Sequence, residues 1–255
     1  MSNILITGST GFIGSHILKK LYGKNKIYLI LRSNSKGKKK ILLNKNIKII
    51  SYSKFHDLNK KLKNINADTI IHCATHYVKN HNYKDIEKLS QSNILFGNII
   101  LENLTNMKTK KFINFSTVWE DYDSLKNNSL NLYSSYKKGF SLITDYYRKI
   151  QKNIKFYNIM ISDTFGENDK RLKIINFLKN NYNKKRITKI VSKNLFMNLL
   201  NVTDVVHAID ILLKKNIKSG KYLLKNSTTH KISDIIESFN AVNNRKIRVK
   251  SLSQK

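Results

Sequence analysis

Proline is absent from this chain of 255 residues, and cysteine and tryptophan occur once each. The lone cysteine, Cys73, excludes an internal disulfide and any metal site built from several cysteines. No apolar run reaches the roughly 18 residues that a membrane helix needs, so no membrane partner is expected. Met1-Ser2-Asn3 has no cationic start and no small-residue cleavage site follows, so no secretory signal is read and the expected location is cytoplasmic. Acidic residues are scarce: 16 Asp and Glu stand against 48 Lys and Arg, a formal charge of +32. Such a balance draws attention to nucleic acid. Lysine is spread along the whole chain, however, and arginine, the better fork for phosphates and bases, occurs only six times. With the missing proline and abundant Asn and Ile, this reads as a compositional bias and not as a basic patch. No nucleic-acid partner is expected, although anionic small ligands are favoured. What is present is sufficient for a core: 40% hydrophobic and 10% aromatic residues argue against disorder.

Short apolar runs alternate with helical patterns through the first half. Strands are read over 4–7, 27–31, 47–52, 68–73, 111–116 and 154–161. Helices are read over 14–21, 85–104 and 136–150, with a polar stretch at 36–40. Strands alternating with helices imply right-handed crossovers and a parallel sheet. After about residue 162 the rhythm loosens. Helix candidates are 172–178, 204–213 and 232–239, with short apolar segments at 199–202 and 222–224. The expected fold is α/β: a Rossmann-type, doubly wound parallel sheet with a small C-terminal substrate-binding cap. Residues 1–162 are assigned to the dinucleotide-binding domain and 163–255 mainly to the cap, with 199–213 returning to the core.

The strongest local signal is Gly8-Ser9-Thr10-Gly11-Phe12-Ile13-Gly14, placed after a strand and opening a helix. Gly8 allows a tight turn, Gly11 lets the backbone approach a pyrophosphate, and Gly14 allows close packing of helix on strand. The helix N-terminus adds free N–H groups and a positive dipole end. Gly8, Thr10, Gly11, Phe12, Ile13 and Gly14 are therefore candidate cofactor contacts. The second strand ends at Arg32-Ser33, where an acid would hold the ribose 2′-hydroxyl of NAD. A guanidinium there suits a 2′-phosphate, so NADP(H) is preferred over NAD(H), with Arg32 and Ser33 as contacts.

The fifth strand ends at Ser116-Thr117, and Tyr133 and Lys137 follow at the next helix start, four residues apart and on one face. An ammonium beside a phenol favours the phenolate. Such a phenol can exchange a proton with a substrate hydroxyl or carbonyl, and the Thr117 hydroxyl can bond the same oxygen.

With these pieces the chain resembles the extended short-chain dehydrogenase/reductases, the NAD-dependent epimerase/dehydratase family, over roughly residues 3–240. The resemblance rests on the glycine loop, Asp68–Thr75, Ser92-Asn93-Ile94, the Thr117/Tyr133/Lys137 set and Asn201–Val206. The stretches 131–140 and 163–173 look closest to the branch of CDP-abequose synthase-like sugar-nucleotide enzymes. The family commonly carries serine where Tyr136 stands. The resemblance implies a catalytic hydroxyl at Thr117, an acid/base at Tyr133 with Lys137 as its partner, a cofactor lining at Cys73, Ala74 and Thr75, and Arg171 and Lys173 facing a substrate diphosphate. It also implies a homodimer through the two long helices. A 4,6-dehydratase of this family needs an Asp-Glu pair after the threonine, where this chain has Val118-Trp119. Reduction of a 4-keto sugar nucleotide in surface-glycan biosynthesis is therefore the leading expectation. An NAD-dependent epimerase and a non-enzymatic dinucleotide-binding protein with a vestigial site are the alternatives. Cys73 and the histidines 72, 76 and 81 are read as structural, and no metal is expected.

Overall fold

The computed structural model describes residues 1–35, 45–122 and 128–252; the polar stretch at 36–40 lies outside them. The chain clusters into two compact units, 1–161 with 206–223 and 162–205 with 224–255. The segment that rejoins the first unit thus starts at 206, and 199–205 groups with the second.

In the first unit, β1 (Asn3–Thr7), β2 (Lys26–Arg32), β3 (Ile47–Tyr52), β4 (Thr69–His72), β5 (Lys111–Thr117) and β6 (Lys155–Ile161) pair in parallel. With β11 (Gly220–Leu224) at the edge, the sheet runs β11-β6-β5-β4-β1-β2-β3. The order reverses between β1 and β4. In an open α/β sheet that reversal leaves a crevice outside the strands' carboxyl ends. β1, β2 and β4 are buried along nearly their whole length and consist mostly of Ile and Leu, as strands covered on both faces do.

Strand alternation sends Leu5, Ile70, Phe112 and Phe156 to one face, where they join Leu58 and Leu62 of α2 (Phe55–Leu62), Phe96 and Ile100 of α4 (Phe96–Glu102) and Phe140 of α5 (Leu132–Ile150) in one core. Ile4, Ile6, Ile27 and Leu29 are buried on the opposite face, and α1 (Phe12–Leu21) buries Ile17 and Leu21. The Lys111 ammonium donates to the carbonyls of Leu212 and Leu213 at 2.7 and 2.9 Å, closing the end of α7 (Val202–Lys214). The helix expected over 85–104 is two: α3 (Tyr83–Ser90) passes through a π-helical turn (Gln91–Leu95) into α4.

The second unit is built from small pieces. β7 (Asp163–Phe165) pairs in parallel with β10 (Leu199–Asn201), and β8 (Thr188–Ile190) with β13 (Val249–Ser251). β9 (Phe196–Met197) runs antiparallel to β12 (His230–Lys231). α6 (Ile174–Asn183) and α8 (Ile232–Ala241) close a separate core around Leu178, Ile190, Ile235, Ile236 and Ile247. Among the described residues no helix is long and apolar enough to cross a membrane.

Candidate active site

The glycine loop is a cradle that side chains would fill. Gly8 has φ +67°, and a Cβ there would meet the Ala74 nitrogen at 2.6 Å. A Cβ on Gly14 would lie 2.3 Å from the Gly8 carbonyl oxygen. The Gly11 N–H donates to that same carbonyl at 2.9 Å and tightens the turn. Helix α1 opens at Gly11 with no side-chain cap, so its first N–H groups stay directed outward as donors. The buried Ser9 hydroxyl has no hydrogen-bond partner among the described residues. A backbone cradle, an uncapped helix start and an orphaned hydroxyl fit a dinucleotide pyrophosphate. Arg32 and Ser33 are exposed where β2 ends. The Ser33 N–H donates to the Tyr52 carbonyl at 2.9 Å, and its hydroxyl lies 3.1 Å from that of Ser53.

The segment after β4 is held against this loop. Thr7 Oγ1 accepts the Ala74 N–H at 3.1 Å and lies 3.0 Å from His72 Nδ1. Asn93, buried inside the π-turn, accepts the Thr75 hydroxyl at 3.0 Å and the His76 N–H at 2.7 Å, and donates to the His76 carbonyl at 3.0 Å. Three bonds to one amide explain why the helix widens there, and such π-turns are frequent at functional sites. Burial, reinforced by the charge of Lys137, pushes His72 down to about 3, so the ring is neutral. Burial pushes the Cys73 thiol up to about 12, against the pull of Lys137. Neither group is a nucleophile or a base at neutral pH.

Thr117 is the last residue of β5, and its Oγ1 accepts the Trp119 N–H at 3.3 Å. Helix α5 starts at Leu132, four residues earlier than the spacing alone suggests, because Asn131 and Ser134 form a reciprocal capping box at 2.9 and 3.0 Å. That box places Tyr133 in the first turn and Lys137 one turn later on the same face. The Tyr133 ring stands edge-on to Tyr77 at 5.0 Å, and Tyr77 lies 6.1 Å from Trp119, so three rings link the turn after Thr117 to Tyr133. Tyr136, the neighbouring phenol, is held elsewhere: its hydroxyl lies 2.9 Å from that of Ser90 on α3.

Lys137 is 4% exposed. Burial lowers its affinity for a proton, and the negative charge of Glu120 opposes that shift. Glu120 is a residue the sequence reading missed. It sits in the 3-10 turn Val118–Asp121, it is 0% exposed, and Ser141 Oγ contacts its two oxygens at 2.9 and 3.1 Å. The available signal was its rarity, since the chain has five glutamates. Nothing local announces that this turn faces inward.

In the second unit Arg171 is committed to an acid. Its Nε and Nη2 contact the two Asp169 oxygens at 2.8 and 2.7 Å, and Nη2 also donates to the Thr164 carbonyl at 2.9 Å. Lys173 pairs with Asp163 at 2.8 Å. A cleft of about 300 Å³ lies here, lined by Phe165, Glu167, Asp169, Lys173, Ile175 and Asn201 among others. Lys173 forms part of its wall, and Arg171 supports it through Asp169. Among the described residues no group of three His, Cys, Asp or Glu side chains could hold a metal ion.

Comparison with known proteins bears on these features. The chain is 26% identical over 220 residues to the CDP-abequose synthase of Salmonella muenchen, covering 86% of this chain and 72% of that protein. It is 25% identical over 248 residues to the CDP-abequose synthase of Yersinia pseudotuberculosis, covering 94% and 84%. The UDP-glucuronic acid 4-epimerase of Bacillus cereus, solved with UDP-glucuronic acid and NAD, shares the fold with a TM-score of 0.83 at 20% identity, covering 98% of this chain and 86% of that one. The sequence profile of the NAD dependent epimerase/dehydratase family matches residues 4–224. That match takes in the glycine loop, the segment after β4 and the start of α5, and the chain belongs to this family.

Proposed function

We propose that the protein is an NADP(H)-dependent oxidoreductase that reduces a 4-keto sugar nucleotide in surface-glycan biosynthesis. The observation that carries this reading is the capped start of α5, which sets Tyr133 and Lys137 on one face beside the end of β5, within the unit that holds the glycine cradle. When bound, the reduced dinucleotide supplies a hydride. Tyr133 gives its phenolic proton to the C4 oxygen, and the Thr117 hydroxyl orients that oxygen. The Lys137 charge makes the phenol a stronger acid and stabilises the phenolate that remains. Gly8, Thr10, Gly11, Phe12, Ile13 and Gly14 hold the pyrophosphate, Arg32 and Ser33 take the 2′-phosphate, and Cys73, Ala74 and Thr75 line the cofactor. Lys173 on the cleft wall, with Arg171 behind Asp169, is proposed to face the substrate's diphosphate. Similarity to two CDP-abequose synthases supports the nucleotide-sugar class. A cytoplasmic homodimer through the long helices belongs to the same reading, supported by the exposed apolar side chains Leu95, Leu142, Tyr146 and Ile150.

A second reading, an NAD-dependent epimerase, draws on the NAD in the B. cereus structure. One experiment separates the two. One portion of the purified protein is denatured and its released nucleotide identified, and a second, native portion is assayed by absorbance with NADPH or NADH against CDP-, UDP- and dTDP-linked 4-keto hexoses. Exchangeable NADPH with consumption of a keto sugar supports the reductase. Tightly retained NAD with no net consumption assigns the epimerase. A chain that binds neither dinucleotide is the vestigial form.

A further inference from the structure

Glu120 and Asp121 end the short turn that follows Thr117, two adjacent acids in a chain with a threefold excess of basic residues. Glu120 is wholly buried. Ser141 Oγ lies 2.9 and 3.1 Å from its two oxygens, but also 3.0 Å from the Lys137 carbonyl oxygen and 3.4 Å from Ser116 Oγ. A serine hydroxyl carries one hydrogen, so it serves one of these acceptors at a time. A buried carboxylate with so little support is costly unless a cation stands near it.

A cation reaches this turn from the edge of the sheet. Lys221 of β11 places its Nζ 3.9 Å from Glu120 Oε2 and donates to Asp121 Oδ2 at 3.1 Å. Lys138 of α5 donates to the other Asp121 oxygen at 2.9 Å. The bond from Lys138, with that from Lys221, holds the Asp121 carboxyl below its ordinary value. One ammonium thus spans two neighbouring carboxylates, and a strand and a helix are joined at the end of a turn of four residues. The backbone of the turn is held separately: the Leu130 N–H donates to the Trp119 carbonyl and Ser129 Oγ to the Glu120 carbonyl, both at 3.0 Å. At the other end of the turn Thr117 Oγ1 accepts the Trp119 N–H. A turn this short passes the placement of its last residues on to its first.

We infer that Lys221 is a positioning residue for the Thr117 turn: its ammonium ties Glu120 and Asp121 to β11, and so fixes where the Thr117 hydroxyl and the Trp119 ring stand. The consequence for turnover rests on the function proposed above, but the tie itself does not.

Trp119 is the sole tryptophan of the chain and lies inside this turn, so its fluorescence reports on the tie with no ligand present. Burial raises the Glu120 carboxyl to about 7, against the Ser141 hydrogen bond and the charges of Lys137 and Lys221. The measurement is therefore made at pH 8, where the carboxylate is charged. Acrylamide quenching of Trp119 should rise about twofold in Lys221→Met, because a turn released from its tie opens locally. Asp121→Asn, which removes one of the two carboxylates, should act in the same direction. Lys221→Arg keeps the charge and should stay near the parent protein. Lys214→Met removes a surface ion pair with Asp210 and should also leave quenching at the parent level. Parent-like quenching in Lys221→Met overturns the inference; should that variant fail to fold, parent-like quenching in Asp121→Asn does so. An equal rise in Lys214→Met or in Lys221→Arg overturns it as well, since the effect would then not come from this charge. Under the proposed function, Lys221→Met should also lower kcat more than it changes KM for the keto sugar. Failure of every nucleotide sugar in the activity panel would sink the proposed function and leave the fluorescence result standing.

Discussion

His72 shows how one buried ring makes stability depend on pH. Its folded value, about 3, lies far below the ordinary 6.5. A group depressed on folding contributes stability that is present above its unfolded value and is lost as pH falls toward the folded one. Between about pH 6.5 and 4, this single group should remove roughly 3 kcal/mol. The expected result is that urea midpoints of the parent protein fall steeply over that window, while those of His72→Gln fall less. Parallel curves would show that His72 does not titrate as its burial demands. Tyr133 and Tyr136 make the complementary case at the site. If Tyr133 is the proton donor of the proposed reaction, Tyr133→Phe removes that proton with little change of shape, and turnover should drop about 10²–10⁴-fold with dinucleotide affinity retained. Tyr136→Phe removes a bond to Ser90 and should cost about 1 kcal/mol of stability, with turnover largely intact. The reverse pattern would move the active site by three residues. These phenols were separable in sequence only by their angle on a helix, and the Ser90 contact gives that angle its meaning. Glu120 was not legible because its burial is decided by α5, far along the chain.

Between elements, α4 packs tightly against α5 at Gly97. A Cβ on Gly97 would lie 2.3 Å from two ring carbons of Phe140, which is itself fully buried. Packing this tight leaves no free volume for a methyl group, and overpacking of a core typically costs about 1–3 kcal/mol. Gly97→Ala should lower the unfolding free energy by that amount, and adding Phe140→Leu should recover part of it. Denaturant titration of the two single variants and the double variant measures the coupling; simple additivity would mean that the helices slide apart freely. The positions of these helices were largely readable. Strand 47–52 appears where the pattern put it, and the other sheet strands agree within a residue or two. What the pattern could not give was tertiary in origin. The π-turn depends on Asn93 reaching residues 75 and 76. Helix α2 was passed over because lysine and polar residues fill most of FHDLNKKL, leaving Leu58 and Leu62 as its buried anchors. The second unit's strands, two or three residues each, are too short to carry any periodicity.

Over the whole molecule the dominant unused quantity is charge. A surplus of 32 positive charges on 255 residues places like charges close together, and the folded state brings them closer than the unfolded chain does. Salt acts on this in two opposing ways. It weakens local pairs such as Lys214–Asp210 and Arg148–Asp145, which are partly exposed. Each such pair is worth about 0–1 kcal/mol, so their loss is small. Salt also screens the repulsion among all the unbalanced lysines, with a Debye length of about 10 Å at 0.1 M. Because unbalanced charges greatly outnumber opposed ones, the second effect should win. The unfolding temperature of the dinucleotide-free protein should therefore rise by several degrees between about 10 and 200 mM sodium chloride, with most of the gain by about 100 mM. Under the proposed function, dinucleotide affinity should move the other way, since the same salt would screen an anion from the uncapped start of α1 and from Arg32. A melting temperature that falls with salt would show that the local ion pairs, and not the surplus, govern stability.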